Sequence, residues 1–412
     1  MSTATAGRLR TPAAVGARGR LGRLVSDPGV RLALLCTLAL RLLCQVVLVV
    51  GVLVEGVGRI HGDHQETLDA RAGGLWWITG PWQRWDALWF VHIARDGYTR
   101  GGPDVAFFPG FPLLLHVLGP VFGGAVWGAA LVVPTVALVA GLALVHRLVR
   151  EVVDARTATR TVILLCVLPT SFYLVAPYSE SLFLLLSTGC LLALWRRRLL
   201  LAGALAAAAA VTRPQGILLG APLAVEGFLL VWARRRATGT TGVRLPLRAA
   251  VATLAPAAAL GAWYVASVRV YGVVGGFPAA EHAHWHARFA PPWSTLPQSV
   301  HLALTDPVHR VEWLNLAFLA ASVGLVIAMV VVRGLPWSWV AYAAVSPLPS
   351  LFRGDGGTPL RSLSRYLLVC LPLVVMLARL RLPRRVEVPV LIVATLFMLH
   401  LLDDHSHFRF IA

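Results

Sequence analysis

The sequence has no lysine, little charge of either sign and few cysteines. Only 14% of its 412 residues are charged and 57% are hydrophobic, with a mean hydropathy of +0.72. These proportions exclude an ordinary soluble domain and predict one all-α, membrane-embedded bundle. All 37 basic residues are arginine, in a chain rich in Ala, Leu and Val, which indicates a GC-rich bacterial genome.

The five cysteines give no sign of a disulfide framework. All of them fall inside apolar runs, where a thiol behaves as a small hydrophobe and has no partner in a loop. They are Cys36, Cys44, Cys166, Cys190 and Cys370. A fold held by disulfides is therefore not expected.

The formal charge of +18 reports membrane topology, so no nucleic-acid partner is expected. The arginines cluster between apolar runs, as the positive-inside rule requires of cytoplasmic loops. A basic tail, residues 1–31, precedes the first run, and no convincing cleavage site follows. We interpret this start as an uncleaved signal anchor of a multi-pass cell-membrane protein, with the N-terminus in the cytoplasm.

Apolar runs divide the membrane domain, residues 32–402, into about eleven predicted spans. The runs cover residues 32–54, 125–145, 161–176, 181–195, 199–211, 216–232, 249–270, 314–332, 337–351, 366–380 and 386–402. Alternate crossing leaves these arginine-rich links in the cytoplasm: 147–160, 196–198, 234–236 and 379–385. The runs 199–211 and 337–351 are shorter than the roughly 17 residues of a straight crossing. Either they are broken helices or the count of eleven spans is wrong. A short tail, residues 403–412, would lie outside.

The first extracytoplasmic loop, residues 55–123, is the longest polar segment and is rich in acids and aromatics. Loops of this length are usually functional. The pattern from Trp85 to Arg95 predicts a helix along the membrane surface, and the proline-broken segment 106–120 predicts a second interfacial or re-entrant helix. Because the loop 272–312 and residues 352–365 fall on the same side, chemistry is expected at this face.

Three charged residues of this face are candidates for chemistry. Asp86 opens the first predicted helix, where an aspartate fits both an N-cap and a catalytic carboxylate, and the two roles do not exclude each other. Glu180 lies at the outer junction of two runs, where a carboxylate is costly unless it faces a polar cavity. Arg213 lies outside against the positive-inside trend, so a lipid phosphate, an ion pair with Glu180 or snorkelling must satisfy it.

Further outer arginines and histidines could bind ligands. Arg361 and Arg365 are candidate phosphate ligands because the guanidinium fork suits phosphate oxygens, and Arg353 fits a headgroup contact equally well. A metal site would use His282 and His286, which would share one face of a helix. We favour interfacial roles for the histidines, so no metal site is predicted and no cofactor is firmly implied; a divalent cation stays an unsupported alternative.

Between about Trp82 and Gly216 the sequence resembles the PIG-V family, the second mannosyltransferase of GPI synthesis and its bacterial relatives. The order and spacing of five segments carry the resemblance: Arg84-Trp85-Asp86, Asp96-Gly97-Tyr98, Ala106-Phe107-Phe108-Pro109, Ala176-Pro177-Tyr178-Ser179-Glu180-Ser181 and Thr212-Arg213. The pattern departs after Arg213, where Pro214 and Gln215 stand in place of serine and asparagine.

This resemblance implies a glycosyltransferase of the GT-C superfamily that takes mannose from a polyprenyl-phosphate carrier on the extracytoplasmic side. The reaction would be an inverting single displacement with Asp86 as base. The donor phosphate would bind Arg213, Arg365 and Arg361. Sugar or acceptor contacts would come from Trp85, His92, Tyr178 and Glu180. Membrane lipids are further partners, and a lipid, glycan, protein or cell-wall polymer acceptor fits equally well.

A transporter or flippase of lipid phosphates or lipid-linked sugars is the alternative function. It would also need many spans, an outer polar cavity and arginines for a phosphate. Transporters usually show internal repeats and polar residues near the midplane, whereas here no repeat is visible and the polar residues collect at one face. A purely structural membrane protein does not account for the acidic, aromatic first loop.

Overall fold

The computed structural model describes residues 27–55, 76–305, 311–354, 358–407, 409 and 411. Most of the predicted basic tail and the first part of the loop 55–123 lie outside these residues. The helices up to the middle of the chain are α1 (Pro28–Glu55), α2 (Trp76–Thr79), α3 (Asp86–Asp96), α4 (Gly110–Leu118), α5 (Val126–Val152), α6 (Ala155–Val167), α7 (Glu180–Trp195) and α8 (Leu199–Thr212).

The second part of the chain is helical as well. Its helices are α9 (Gly220–Thr238), α10 (Arg244–Arg269), α11 (Gly276–Trp285), α12 (Pro292–Thr305), α13 (Val311–Val332), α14 (Trp337–Val345), α15 (Leu348–Leu351), α16 (Leu363–Leu368), α17 (Leu371–Arg379) and α18 (Arg384–Ser406). Short 3-10 turns cover Gly80–Trp82, Pro103–Ala106, Gly119–Phe122, Ser171–Leu174 and Pro214–Leu219. The all-α prediction is therefore confirmed.

Within the described residues, six helices are long and apolar enough to cross a membrane. They are Pro28–Val54, Val126–Val152, Pro214–Thr238, Arg244–Arg269, Val311–Val332 and Arg384–Ser406. Three shorter apolar helices accompany them: Gly110–Phe122, Glu180–Trp195 and Leu199–Thr212. Several apolar helices thus indicate a membrane-embedded protein, but the predicted count of eleven spans is not confirmed.

Prolines explain why some predicted spans are not single helices. The run 337–351 is split between α14 and α15 beside Pro347, and the run 366–380 is split between α16 and α17 just before Pro372. Helix α6 ends at Val167, two residues before Pro169. Proline removes a backbone donor and restricts the residue before it, so each break follows from the local sequence.

Small residues allow the central helices to pack closely. Helix α8 is almost entirely alanine, leucine and glycine, and a Cβ added at its Gly203 would lie 2.6 Å from Cα of Ala252 in α10. Such near contact of backbones is how helices associate where no water drives them together. The interface fixes α8, whose last residue precedes Arg213.

Ion pairs join the links that the sequence places in the cytoplasm. Nη2 of Arg196 lies 2.6 Å from Oε1 of Glu151, and Nη2 of Arg160 lies 2.8 Å from Oε1 of Glu387. Each pair connects segments that are distant in sequence. The links 147–160 and 196–198 therefore lie side by side, and so do residues 147–160 and the start of α18.

The loop 272–312 and the segment 352–365 are joined by a short antiparallel pairing. Strand β1 (Arg288–Phe289) pairs with β2 (Arg353–Gly354), and the rings of Phe289 and Phe352 stack with centroids 5.6 Å apart. Backbone N–H of Ala290 donates to the carbonyl of Phe352 at 3.0 Å. This pairing holds the end of α11 beside the segment that leads into α16.

Candidate active site

The start of α3 is anchored to the end of α18. Trp85 occupies the N-cap with φ +53° and makes no side-chain capping bond, so Asp86 is the first helical residue and its interpretation as the N-cap is wrong. The buried Arg84 donates to the carbonyl of Ser406 at 2.6 Å, and Nε1 of Trp85 donates to that of His405 at 3.3 Å. Burial lowers the pKa of Arg84 to about 10. These bonds fix where the Asp86 carboxylate stands.

Four charged side chains, one of which is Asp86, form a single network. Nη1 of Arg365 donates to Oδ2 of Asp86 at 3.1 Å. Nε and Nη2 of the same arginine donate to Oε1 of Glu180 at 2.9 and 2.7 Å. Nη1 of Arg213 reaches that same oxygen at 2.5 Å. The order of the network is therefore Asp86, Arg365, Glu180, Arg213, with the charges alternating.

Burial divides this network into an inner and an outer part. Glu180 has no exposed surface, and Arg213 and Arg365 are 6% and 7% exposed, whereas the Asp86 side chain is 34% exposed. Two carboxylates and two guanidinium groups balance formally, which is what allows the inner three to stay buried. Asp86 is thus the network's accessible end.

Aromatic rings surround the guanidinium of Arg365. Its Cζ lies 4.4 Å from the ring centroid of Tyr173 and 4.9 Å from that of Tyr178. The hydroxyl of Tyr178 donates to the carbonyl of Arg84 at 3.4 Å, and burial raises the pKa of Tyr178 well above its usual value. The electron-rich faces of both rings stabilise the guanidinium cation of Arg365.

A cavity of about 270 Å³ opens in front of Asp86 and Arg213. The charged and amide side chains of its wall are Asp86, Arg213, Gln215, Glu281, Arg353, Arg361 and Arg365. The aromatic side chains are Trp85, Phe90, Phe107, Phe108, Trp285 and Tyr366. Nε of Arg361 is oriented by Oγ1 of Thr358 at 2.9 Å. Two carboxylates and four arginines thus line one polar, aromatic cavity, and Glu281 is one of those carboxylates.

A second, much smaller cavity of about 30 Å³ lies on the other side of Asp86. Its wall consists of Trp85, Asp86, Tyr173, Tyr178, Arg365, His405 and Ile411. His405 is 3% exposed and packs against Tyr173 and Tyr178, with ring centroids 5.5 and 5.9 Å apart. His405 therefore belongs to the surroundings of Asp86.

The far wall of the larger cavity is an aromatic cluster held by an ion pair. Trp285 lies edge-on to Phe107 at 5.5 Å and to Trp89 at 5.8 Å, and Trp89 stacks on Phe107 at 5.3 Å. Nη2 of Arg353 bonds Oε2 of Glu281 at 2.9 Å, one helical turn before Trp285. The loop 272–312 therefore contributes directly to this cavity.

The predicted site residues separate into three groups. Trp85, Asp86, Arg213, Arg361 and Arg365 line the larger cavity. Tyr178 and Glu180 lie behind the two buried arginines. The prediction that Glu180 faces the cavity is therefore wrong. His92 lines neither cavity and instead bonds Asp96 at 3.1 Å. The pKa of Asp96 is lowered mainly by a hydrogen bond from Arg95 and to a smaller degree by His92.

The histidines of the loop 272–312 do not share a helical face. Helix α11 ends at Trp285, and His286 is its C-cap with φ +54°, so His282 and His286 do not share the helical face that a metal site would use. Nδ1 of His282 instead contacts the carbonyl of Ala287 at 3.1 Å. No group of three metal-ligating side chains occurs in the described part of the chain.

Several site residues were missed by the sequence analysis. The ring of Tyr173 packs against the guanidinium of Arg365, and Glu281 and Trp285 form the far wall of the larger cavity. An acid four residues before a tryptophan in the loop 272–312 was a usable signal for Glu281. Tyr173 gave none, since it sits inside an apolar run.

Comparison with known proteins shows which family the segment around the site resembles. Residues 73–224 match the model of the family Mannosyltransferase (PIG-V). The chain is 35% identical over 180 residues to GPI alpha-1,6-mannosyltransferase 2 of Rattus norvegicus, and 34% identical over 180 residues to that of Mus musculus. In each case 41% of this chain and 34% of the relative is covered. The match thus spans about a third of each relative.

Solved structures of similar shape are more distant. The Archaeoglobus fulgidus oligosaccharyltransferase in complex with zinc and sulfate has 14% identity and a TM-score of 0.42, over 90% of this chain and 53% of that one. The archaeal oligosaccharyltransferase AglB in complex with an inhibitory peptide and a dolichol-phosphate has 13% identity and a TM-score of 0.41, over 90% and 56%. Residues 73–224, which carry Asp86, Glu180 and Arg213, are thus similar to the PIG-V mannosyltransferase family.

Proposed function

We propose that this protein transfers mannose from a polyprenyl-phosphate-linked donor to a hydroxyl acceptor in the larger cavity. One observation carries the proposal: the partly exposed carboxylate of Asp86 and the guanidinium of Arg213 line the same cavity. A displacement at an anomeric carbon needs a base for the incoming hydroxyl and positive charge for the departing phosphate. The family supports mannose as the sugar.

The donor phosphate would bind Arg213 and Arg361. Arg213 comes directly after α8, lies 3.4 Å from Oε1 of Gln215, and is held against the cavity by Glu180. Arg365 differs from these two because its nitrogens already bond Asp86 and Glu180. We therefore assign it to positioning rather than to the phosphate as first expected. A fixed guanidinium favours the leaving phosphate most once its charge has grown.

Asp86 would act as the base. Its Oδ2 accepts the bond from Arg365, which leaves Oδ1 to take the acceptor's proton. The acceptor oxygen then bonds the anomeric carbon while the bond from that carbon to the phosphate oxygen breaks, and its electron pair leaves with the polyprenyl phosphate. Attack and departure on opposite faces invert the anomeric centre.

The aromatic walls would hold the sugar or the acceptor. Trp85 and Trp285 line opposite parts of the cavity, and flat aromatic faces suit the apolar faces of sugar rings. Tyr178 would act on the sugar only through Arg365, and His92 retains a proposed role at the membrane surface rather than at the substrate.

Topology is part of the proposal. The pairs between Arg196 and Glu151 and between Arg160 and Glu387 join links assigned to the cytoplasm, whereas the network of Asp86 joins segments assigned to the outside. This consistency supports a cytoplasmic N-terminus and an extracytoplasmic site in the cell membrane. We also propose that α3 and α4 lie at the interface of a GT-C-like bundle, in which the shorter and broken helices complete about eleven crossings.

The test is transfer of labelled mannose from polyprenyl-phosphate mannose, using purified protein in liposomes mixed with membranes from a deletion strain. Wild-type protein should label an acceptor, and Asp86→Asn should slow transfer by about 100-fold or more. Asp96→Asn, at the other end of the same helix and away from the cavity, is the matched control. Movement of donor across the liposome bilayer without labelled product would establish the transporter alternative instead.

A further inference from the structure

Glu180 binds two arginines through one oxygen. Nη1 of Arg213 and both Nε and Nη2 of Arg365 converge on Oε1. The other oxygen, Oε2, is buried and has no hydrogen-bond partner among the described residues. A buried carboxylate oxygen left without a partner is unusual, because desolvation is then uncompensated.

This arrangement makes the two arginines compete for Glu180. Arginine and carboxylate pair best as a fork, with two parallel N–H bonds to two different oxygens. Here both nitrogens of Arg365 fall on Oε1, the atom that Arg213 also occupies. If Arg213 withdrew, Arg365 could form the two-oxygen fork with Glu180 by using Oε2.

Arg365 can form this two-oxygen fork with Glu180 only by moving relative to Asp86. Its bond to Oδ2 of Asp86, at 3.1 Å, is longer than its bonds of 2.9 and 2.7 Å to Glu180. Arg213, at the other end of the network, lines the cavity where an anionic group would attract it. The network therefore connects the anion-binding wall to the carboxylate of Asp86.

We propose that Glu180 is a positioning residue that couples donor binding to release of the base. A phosphodiester at Arg213 draws that guanidinium away from Glu180, Glu180 takes Arg365 as a full fork, and Arg365 loosens its hold on Asp86. Without its cationic partner the Asp86 carboxylate is a stronger base, so Oδ1 takes the acceptor's proton readily only once the donor is in place. The inference rests on the proposed function and adds an order of events: donor first, then activation of the acceptor.

Glu180→Gln tests this coupling because it keeps the shape and removes the charge for which the arginines compete. Arg213 is then free to bind the donor, and Arg365 stays on Asp86. In the liposome assay with labelled polyprenyl-phosphate mannose, we expect the donor KM to fall several-fold while kcat falls by about 100-fold. A merely structural role would lower the active fraction and leave the donor KM unchanged or higher.

The double variant Glu180→Gln/Arg365→Gln gives the decisive comparison. It removes one charge of each sign and releases Asp86 from Arg365, so kcat should recover by about 10-fold or more over Glu180→Gln alone. A double variant as slow as the single one, or slower, overturns the coupling. Glu312→Gln, another fully buried carboxylate, bonded to Ser299 away from the cavity, reports the cost of neutralising a buried acid.

The two proposals fail in different ways. Absence of transfer by the wild-type protein, or full activity of Asp86→Asn, removes the proposed function itself. A rise in the donor KM of Glu180→Gln, in a preparation whose wild type transfers mannose normally, removes only the coupling. Size-exclusion profiles and thermal unfolding of every variant identify those that are folded.

Discussion

Arg365 and Asp86 are 279 positions apart in the sequence, yet Nη1 of one lies 3.1 Å from Oδ2 of the other. The bond joins α16 to the start of α3, and it is the point where the buried part of the charged network meets the cavity. Arg365 is 7% exposed while the Asp86 side chain is 34% exposed. Water can therefore solvate the charge of Asp86 in part, whereas the charge of Arg365 relies on its carboxylate partners.

That asymmetry predicts unequal effects on stability. Arg365→Met leaves the buried Glu180 with Arg213 alone, which should lower the free energy of unfolding by about 3–5 kcal/mol. Asp86→Asn removes a charge that water partly solvates, so its cost should stay below about 1 kcal/mol. Thermal unfolding of both variants in the same detergent measures the difference, and equal losses would contradict the division into buried and accessible parts.

Arg213 should control use of the donor. Arg213→Ala removes a charge-assisted bond to the phosphate, worth about 1.5–3 kcal/mol, so the donor KM should rise by about 10- to 100-fold. Arg213→Lys keeps the charge without the fork and should recover part of the loss. Initial rates against donor concentration decide the matter, with Arg95→Ala, on the exposed face of α3, as a control. An unchanged donor KM would mean that Arg213 serves only Glu180.

The sequence predicted which residues gather at this face but not how they are arranged. Asp86, Glu180, Arg213 and Arg365 were all assigned to the outer side from charge bias and from the cost of charges near hydrocarbon. Those arguments give no distances between side chains, so they could not show that Glu180 lies beneath the arginines rather than at the cavity. Only tertiary packing of α7 against the segment after α8 decides that.

Local rules predicted other features well and failed where the chain leaves a regular helix. The helix that begins at Asp86 followed from apolar spacing, and the breaks at Pro347 and Pro372 follow from proline chemistry. The helical face that His282 and His286 would share is absent because His286 adopts a left-handed conformation that ends α11. No pattern of residue types announces such a conformation at a histidine.

Trp285 should matter more to transfer than Trp89. Both rings contact Phe107, but only Trp285 lines the cavity. Trp285→Ala should therefore lower kcat/KM by about 3- to 10-fold, the loss expected for one aromatic contact of about 0.5–1.5 kcal/mol. Trp89→Ala should leave kcat/KM within about 2-fold, and the reverse ranking would place the substrate beside Trp89 rather than Trp285.

Gly216 should be intolerant of any side chain. It follows Arg213 by one 3-10 turn, and its backbone N–H donates to the Arg213 carbonyl at 2.9 Å. A Cβ at this position would overlap the backbone of Ala209 and Ala210 in α8, which cannot give way as a flexible side chain would. Gly216→Ala should therefore lower the unfolding temperature by several degrees and, because the shift displaces Arg213, raise the donor KM.

Gly261 provides the matched control for this substitution. It lies in α10 with nothing within 4 Å of an added Cβ, and alanine is the better helix former by about 1 kcal/mol. Gly261→Ala should therefore unfold at the same temperature as the wild type or slightly higher, with an unchanged donor KM. If Gly216→Ala behaves like Gly261→Ala in both measurements, the close approach of Gly216 to α8 does not position Arg213.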